Sequence, residues 1–386
     1  MPFSAAAATC DVLVVGGGVI GLASAWRLAR EGVAVTLVDA SGTRGASWAA
    51  AGMLAPVSEA GFGEEPLLRL NLAALARFPS AVAELEVDTG HSVGLRRDGT
   101  LVVAMDADDR VAISRLFGFR TSLGLVTEEL TGSAVRRLEP FLSPSVRGAV
   151  LAADDLSVDT RRYALALRAA LAHHRVEVIA GRAEELLVEH GKVVGVRTDS
   201  GELRAGTVLL ATGSWSLTLD GLPADVLLPV RPVKGQILRL GPSPRAPGTI
   251  LTRTVRALVR GFEVYLVPRE DGEIVVGATV EELGFDETVT VGAVHDLLRD
   301  ACEIVPCLSE LALVECRAGL RPGTPDNGPL LGDVGVPGLL IATGHFRNGI
   351  LLSALTADAV VGLVTGTGTG PEWKPFAADR FSGGHQ

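Results

Sequence analysis

The stretch Asp11-Val-Leu-Val-Val-Gly-Gly-Gly-Val-Ile-Gly constrains this chain more than any other. It reads as a buried strand (Val12 to Val15), a glycine turn, a helix (Val19 to Arg30) and a second strand (Val33 to Val38) that ends at Asp39. Gly16, Gly18 and Gly21 supply a G-x-G-x-x-G spacing. In that layout the first glycine permits a tight turn, the second lets phosphates approach bare backbone, and the third lets the helix close on the sheet. The helix start then offers free N–H groups and a partial positive charge to a pyrophosphate. A carboxylate at Asp39 suits the two hydroxyls of an adenosine ribose and repels a 2′-phosphate. The pattern predicts a dinucleotide-binding α/β unit.

The chain of 386 residues is long enough for two domains with ample core. With 47% hydrophobic and 21% charged residues it reads as a compact globular protein. A net charge of −10 and scattered arginine pairs argue against a nucleic-acid surface. The uncharged stretch Val12 to Trp26 is broken by glycines and too short to span a bilayer, and the first ten residues lack a signal-peptide pattern. These features predict a soluble, cytoplasmic protein. The four cysteines form no C-x-x-C pair and no histidine cluster has metal-ligand spacing, so no structural metal is expected. His173 and His174 are read as solvated.

Further along, helical spacing covers Asp159 to His174, with Thr160 or Asp159 as its cap. A strand follows at Val176 to Ala180, then a meander of Ala183 to Val188, Val193 to Thr198 and Glu202 to Ala205. Thr207 to Ala211 and Leu339 to Ala342 read as separate buried strands, and Gly349 to Val364 as a closing helix. Two blocks have a different texture, with strand-like runs such as Thr100 to Ala104, Gln236 to Leu240, Val264 to Val267 and Ile274 to Val276. The expected architecture is α/β: a discontinuous Rossmann-like nucleotide domain with a mixed, largely parallel sheet, helices and a small β-meander (9–87, 146–227 and 315–375). An α+β substrate domain with a mixed sheet would take 88–145 and 228–314. Residues 376–386 are expected to form a loose C-terminal tail.

Beyond Asp39, the run Gly45-Ala-Ser-Trp-Ala-Ala-Ala-Gly-Met-Leu-Ala-Pro would let a flat ring lie against main chain. Ala211-Thr-Gly ends a second strand with a glycine, and Gly344-His-Phe-Arg-Asn-Gly precedes the last helix. Together with PVKGQ (Pro232 to Gln236), YLVPR (Tyr265 to Arg269), GATVE (Gly277 to Glu281) and GLRPGTPD (Gly319 to Asp326), these segments resemble the FAD-dependent D-amino-acid oxidase family. Within it they are most similar to the glycine oxidases of thiamine biosynthesis. The motifs run from end to end of the chain, and GLRPGT and GHFRNGILL are the most specific.

The resemblance implies a two-domain flavoprotein that oxidises glycine or another small amine or amino acid, such as sarcosine or a small D-amino acid. The α-hydrogen would leave as hydride to flavin N5, giving an imine, and dioxygen would reoxidise the flavin to give hydrogen peroxide. No side chain is needed as acid or base; orientation and charge placement carry the reaction. The imine would pass to the thiazole synthase of thiamine biosynthesis, and a homo-oligomer, often a tetramer in relatives, is implied. The early loop has no histidine, and Cys316 falls too early to carry flavin, so FAD is expected without a covalent bond.

Arg321 is the candidate for the substrate carboxylate, since a guanidinium offers two parallel donors and keeps its charge; Pro322 would stiffen its loop. Tyr265, one of two tyrosines, is the second candidate. Arg347 is placed near the site mouth or flavin edge, Met53 near the ring, and Val280 as a possible limit on side-chain volume. FAD contacts are expected from Gly16, Gly18, Val19, Ile20 and Gly21; Asp39 and Ala40; Ser47, Ala49, Ala50, Ala51, Gly52 and Met53. Ala183, Ala211, Thr212, Gly213 and Trp215 complete the middle, and Gly344, His345, Arg347, Asn348, Gly349 and Ile350 the last loop. His345 is read as a packing residue rather than a base. The helix from Gly349 would aim its positive end at the flavin. A dehydrogenase on the same scaffold, passing electrons to a carrier, is the alternative; a nicotinamide-dependent dehydrogenase would leave the later motifs without a purpose.

Overall fold

The computed structural model describes residues 9–382, except Ser41, Thr43, Arg44, Pro247 and Arg260. Residues 1–8 and 383–386 lie outside it, including part of the region read for a signal peptide and the end of the expected tail.

Two eight-stranded sheets carry the described chain, beside a two-stranded pair of Met53–Leu54 and Leu156–Ser157. In the first, strand Thr9–Val15 lies between Gly201–Leu210 and Val35–Asp39, parallel to both. Glu177–Ala180 extends the sheet beyond Val35–Asp39, and Leu339–Thr343 lies parallel to Gly201–Leu210 on the other side. Buried on both faces, Val12, Leu13, Val14 and Val15 are no more than 3% exposed, which is why this run is continuously apolar. Helices Val19–Arg30, Glu65–Thr89, Thr160–His173 and Gly349–Thr365 cover one face around Trp26, Phe78 and Tyr163. The meander Ala183–Glu189 and Lys192–Thr198 joins the sheet through Gly201–Leu210.

The second sheet runs in the order Ala312–Gly323, Arg231–Gly241, Ile274–Gly277, Phe262–Pro268, Thr254–Val259, Thr100–Ala104, Gly148–Ala152, Glu128–Thr131. All its pairings are antiparallel except Thr254–Val259 with Thr100–Ala104. Helix Val291–Ile304 packs on it through Leu297, Ala301 and Ile304.

Several expectations change. Glu202 to Ala205 and Thr207 to Ala211 are not two strands but one, Gly201–Leu210, because its start pairs antiparallel with Lys192–Thr198 while the remainder pairs parallel with Thr9–Val15. The second strand of the nucleotide unit begins at Val35, since Val33 N–H still donates to the Leu28 carbonyl at 3.1 Å. Strand Gly148–Ala152 falls in the second sheet although the expected boundary at 146 assigns it to the first, and Ala312–Gly323 runs across the boundary at 315. Long-range pairing, invisible to local pattern, decides both. The helices Glu65–Thr89 and Ala107–Ser122 had no counterpart in the sequence reading.

Residues 376–382 are not loose. Phe376 is 4% exposed and Ala378 fully buried, and Arg380 pairs with Asp326 at 2.8 Å. His174 is half-buried and bonds Asp88 at 2.9 Å rather than standing in solvent. Segment Phe346–Thr365 is apolar and long enough to cross a bilayer, yet most of it is buried against Val19–Arg30 and Glu65–Thr89. It is a core helix.

Candidate active site

A large cavity, about 480 Å³, runs between the first sheet and the face of the second. At its first end the glycine turn makes the tight turn and close helix packing that its spacing predicts. Gly16 has φ +113°, and a Cβ there would lie 2.5 Å from the Ala211 carbonyl oxygen. A Cβ at Gly21 would lie 1.9 Å from the carbonyl oxygen of Gly16, so helix and turn pack backbone to backbone. Helix Val19–Arg30 has no side-chain cap from Gly18; the Val19 N–H donates to Ser47 Oγ at 3.0 Å. The remaining first-turn donors are the partial positive charge of this end. Asp39 stands beyond them, with Arg168 donating to its Oδ2 at 2.7 Å and to the Gly42 carbonyl at 2.7 Å.

The small-residue run forms the middle. Ala51 and Met53 pack against Ile237, Val267, Val275, Tyr265 and Ala278 of the second sheet. Arg269, buried behind them, donates to the Ala51 carbonyl at 2.6 Å and the Val158 carbonyl at 3.0 Å. Thr160 Oγ1 donates to the Ala50 carbonyl at 2.9 Å. These bonds pin the backbone that faces the cavity, so small side chains there leave a flat floor.

At the far end stands Arg321. The sequence reading places it in a loop stiffened by Pro322; it lies instead within strand Ala312–Gly323, opposite Val233, with Pro322 opposite Pro232. Pairing with the long Arg231–Gly241 strand explains the difference. Its Nη1 donates to the Thr279 carbonyl at 3.2 Å and the Lys234 carbonyl at 3.4 Å. The Tyr265 hydroxyl lies beside the same guanidinium; burial pushes its pKa up, against the lowering effect of the Arg321 charge. The backbone makes room for both groups. A Cβ at Gly235 would lie 2.2 Å from Arg321 Nη1, and one at Gly277 would lie 2.3 Å from the Tyr265 hydroxyl.

The cavity gathers Gly16, Gly18, Val19, Ile20, Asp39, Ala40, Ser47 and the run Ala49 to Met53. It also gathers Ala183, Ala211, Thr212, Gly213, Trp215, His345, Arg347, Gly349 and Ile350, with Tyr265, Val280 and Arg321 at its end. Gly21, Gly344 and Asn348 are not on its wall. Gly21 serves helix packing, and Gly344 turns the chain at φ +73° against Thr324. Asn348 donates its backbone N–H to the His345 carbonyl at 2.9 Å. Val280 reaches the rim with its side chain 71% exposed, so it offers little wall. His345 is buried and bonded to Thr356 Oγ1 at 3.0 Å; burial pushes its pKa down to about 3, keeping it neutral. Arg347 is exposed, its guanidinium over the Phe346 ring. Cys316 packs with the hydrophobic cluster of the second sheet, away from the cavity.

Sequence reading missed Glu59, Arg168, Arg256 and Glu263, all on the wall. Gly235 lay inside PVKGQ and could have been found there, since a glycine in a buried strand marks a close approach. Nothing local distinguishes Glu59 from a solvated carboxylate.

Residues 11–363 match the sequence family described as FAD dependent oxidoreductase. The chain belongs to that family. FAD is its cofactor. The Bifunctional protein ThiO/ThiG of Synechocystis sp. is 36% identical over 377 residues, covering 97% of this chain and 54% of the relative. Thus the chain spans about half the length of the first curated relatives it matches. The Glycine oxidase of Geobacillus kaustophilus is 35% identical, with 97% of each chain covered. The crystal structure of glycine oxidase from that organism superposes with a TM-score of 0.88 at 33% identity, covering 96% of this chain and 99% of the other.

The cavity suits the cofactor on its own geometry. Asp39 can take ribose hydroxyls, the helix start at Val19 can take phosphates, and the pinned backbone of Ala49 to Gly52 leaves room for a flat ring.

Proposed function

We propose that this enzyme oxidises glycine or another small amine or amino acid, such as sarcosine or a small D-amino acid, to the imine. Dioxygen would be the final acceptor and hydrogen peroxide the second product. The observation that carries this reading is the Arg321–Tyr265 pair at the cavity end opposite Asp39, with Gly235 and Gly277 cleared beneath it. A guanidinium and a phenol side by side form a carboxylate-sized niche with directional donors. The names of the glycine oxidase relatives support a small amino acid as substrate.

Bound FAD supplies hydride acceptance; the chain supplies placement. Arg321 and Tyr265 hold the substrate's acid group, which fixes the direction of its α-carbon. Burial holds His345 at a pKa near 3, too weak a base to take the substrate's proton, in keeping with a reaction driven by orientation and the substrate's own amine. The start of helix Gly349–Thr365 adds positive potential to that wall. The ThiO/ThiG name, which couples two activities in one chain, supports delivery of the imine to a thiazole synthase. Burial of the most apolar helix supports a water-soluble enzyme, and we place its work in the cytoplasm.

The test is direct. Purified protein is expected to show flavin absorbance and to form peroxide in air with glycine, sarcosine or D-alanine. Arg321→Ala is expected to raise KM sharply while keeping the flavin absorbance. Substrate-dependent bleaching without peroxide would turn the reading to a dehydrogenase, and no bleaching with any small amino acid would overturn it.

A further inference from the structure

Three charged side chains on the cavity wall play no part in the scheme above. Arg256 lies opposite Tyr265 in the ladder between Thr254–Val259 and Phe262–Pro268, and Glu263 lies two residues before Tyr265. Directly opposed and alternate residues share a sheet face, so all three rise toward the same space. Arg256 Nη2 bonds Glu263 Oε2 at 3.1 Å, and its Nη1 lies 2.9 Å from Glu59 Oε1. Arg256 is 11% exposed and Glu59 17%, whereas Glu263 is 66% exposed at the mouth.

Glu59 is held from behind. Buried Asp155 accepts from the Val57 and Ser58 N–H groups at 3.1 Å each, and buried Arg120 donates to the Ser58 carbonyl. With buried Asp155 and Arg120 behind them, three carboxylates meet two guanidiniums, and this wall keeps an excess of negative charge. Arg321 is the opposite pole. The site therefore has one place for an acid group and, on the same cavity beyond Tyr265, a wall that repels a second.

We propose that Glu59 and Glu263, organised by Arg256, form a charge filter that admits amino acids with one acid group and excludes those with a second acid group on nitrogen or side chain. This rests on the reading of Arg321 as the carboxylate anchor. The chemistry favours a hydrogen or a neutral alkyl group on the nitrogen. Like charges brought together in a partly desolvated cleft act against the wrong partner more strongly than a contact favours the right one.

The test compares sarcosine with iminodiacetate, in which a carboxymethyl group replaces the N-methyl group. Wild type is expected to prefer sarcosine by ~10²-fold in kcat/KM, and Glu59→Gln and Glu263→Gln each to cut that ratio by ~10-fold. A purely structural defect would lower both substrates together and leave the ratio unchanged. Competitive inhibition gives a second readout: malonate is expected to bind more weakly than acetate in wild type, with the gap narrowing in both variants. Equal use of the two substrates by wild type, or a ratio unmoved in both variants, overturns the filter. Failure of both substrates in wild type would instead overturn the amino-acid reading itself.

Discussion

Arg321 lies over bare backbone at Gly235: its Nη1 sits where a side chain on that glycine would begin, 2.2 Å from the position of a Cβ. The two residues are on neighbouring strands, with Gly235 opposite Gly319 and Arg321 opposite Val233. Gly235→Ala is therefore expected to displace the guanidinium without touching the cofactor end. Loss of a charged hydrogen bond of about 2–3 kcal/mol predicts a fall in kcat/KM of roughly 10²-fold. Steady-state kinetics should show it chiefly in KM, with an unchanged flavin spectrum.

Asp39 holds Arg168 at 2.7 Å and faces the first end of the cavity. Asp39→Asn keeps the shape but removes the charge that two ribose hydroxyls would share. FAD affinity, measured by titrating the apoprotein, is expected to weaken ~10-fold. Affinity equal to wild type would remove Asp39 from the ribose site.

Asp155 ties pH to stability. Burial raises its pKa from 3.8 to about 6. The folded protein then holds the proton more tightly than the unfolded chain. Its favourable contribution is complete below 3.8, is lost as pH rises to about 6, and changes no further above that. The interval corresponds to ~3 kcal/mol. Urea unfolding of wild type and Asp155→Asn, at about pH 4 and about pH 7, is expected to show wild type losing up to that amount relative to the variant.

Turnover should rise toward alkaline pH, because the substrate's amine reacts neutral. His345, with its pKa near 3 by burial, is already uncharged throughout that range. His345→Gln is thus expected to leave the alkaline limb of the kcat/KM profile where it is. A limb displaced by the substitution would assign the titration to the imidazole instead.

The tail can be tested by truncating one ring. Phe376 is 4% exposed and packs in the helical core layer with Trp373. Phe376→Ala is expected to cost about 3 kcal/mol, seen as a lower Tm.

The nucleotide half was legible because its signals are local. Gly16, Gly21 and Asp39 sit within one strand–helix–strand unit whose spacing carries their roles. Arg321 and Tyr265 were legible through short segments shared with a family. Arg256 and Glu59 were not: their meaning comes from Arg256 facing Tyr265 across a ladder, and Glu59 reaching that ladder from another segment. The tail misled because nothing in the local pattern of 376–386 shows that Phe376 and Ala378 close the core. Boundaries slipped where Gly148–Ala152 chose a sheet by its partners rather than by its own pattern.

The Thr9–Val15 strand finds one neighbour at Val35–Asp39 but the other only at Gly201–Leu210, and Arg321 completes its niche against a strand that starts at Arg231. During synthesis the glycine turn therefore leaves the ribosome long before the edge it leans on exists. The nascent chain carries an open strand edge until Gly201–Leu210 is made, and flavin capture has to wait for helix Gly349–Thr365.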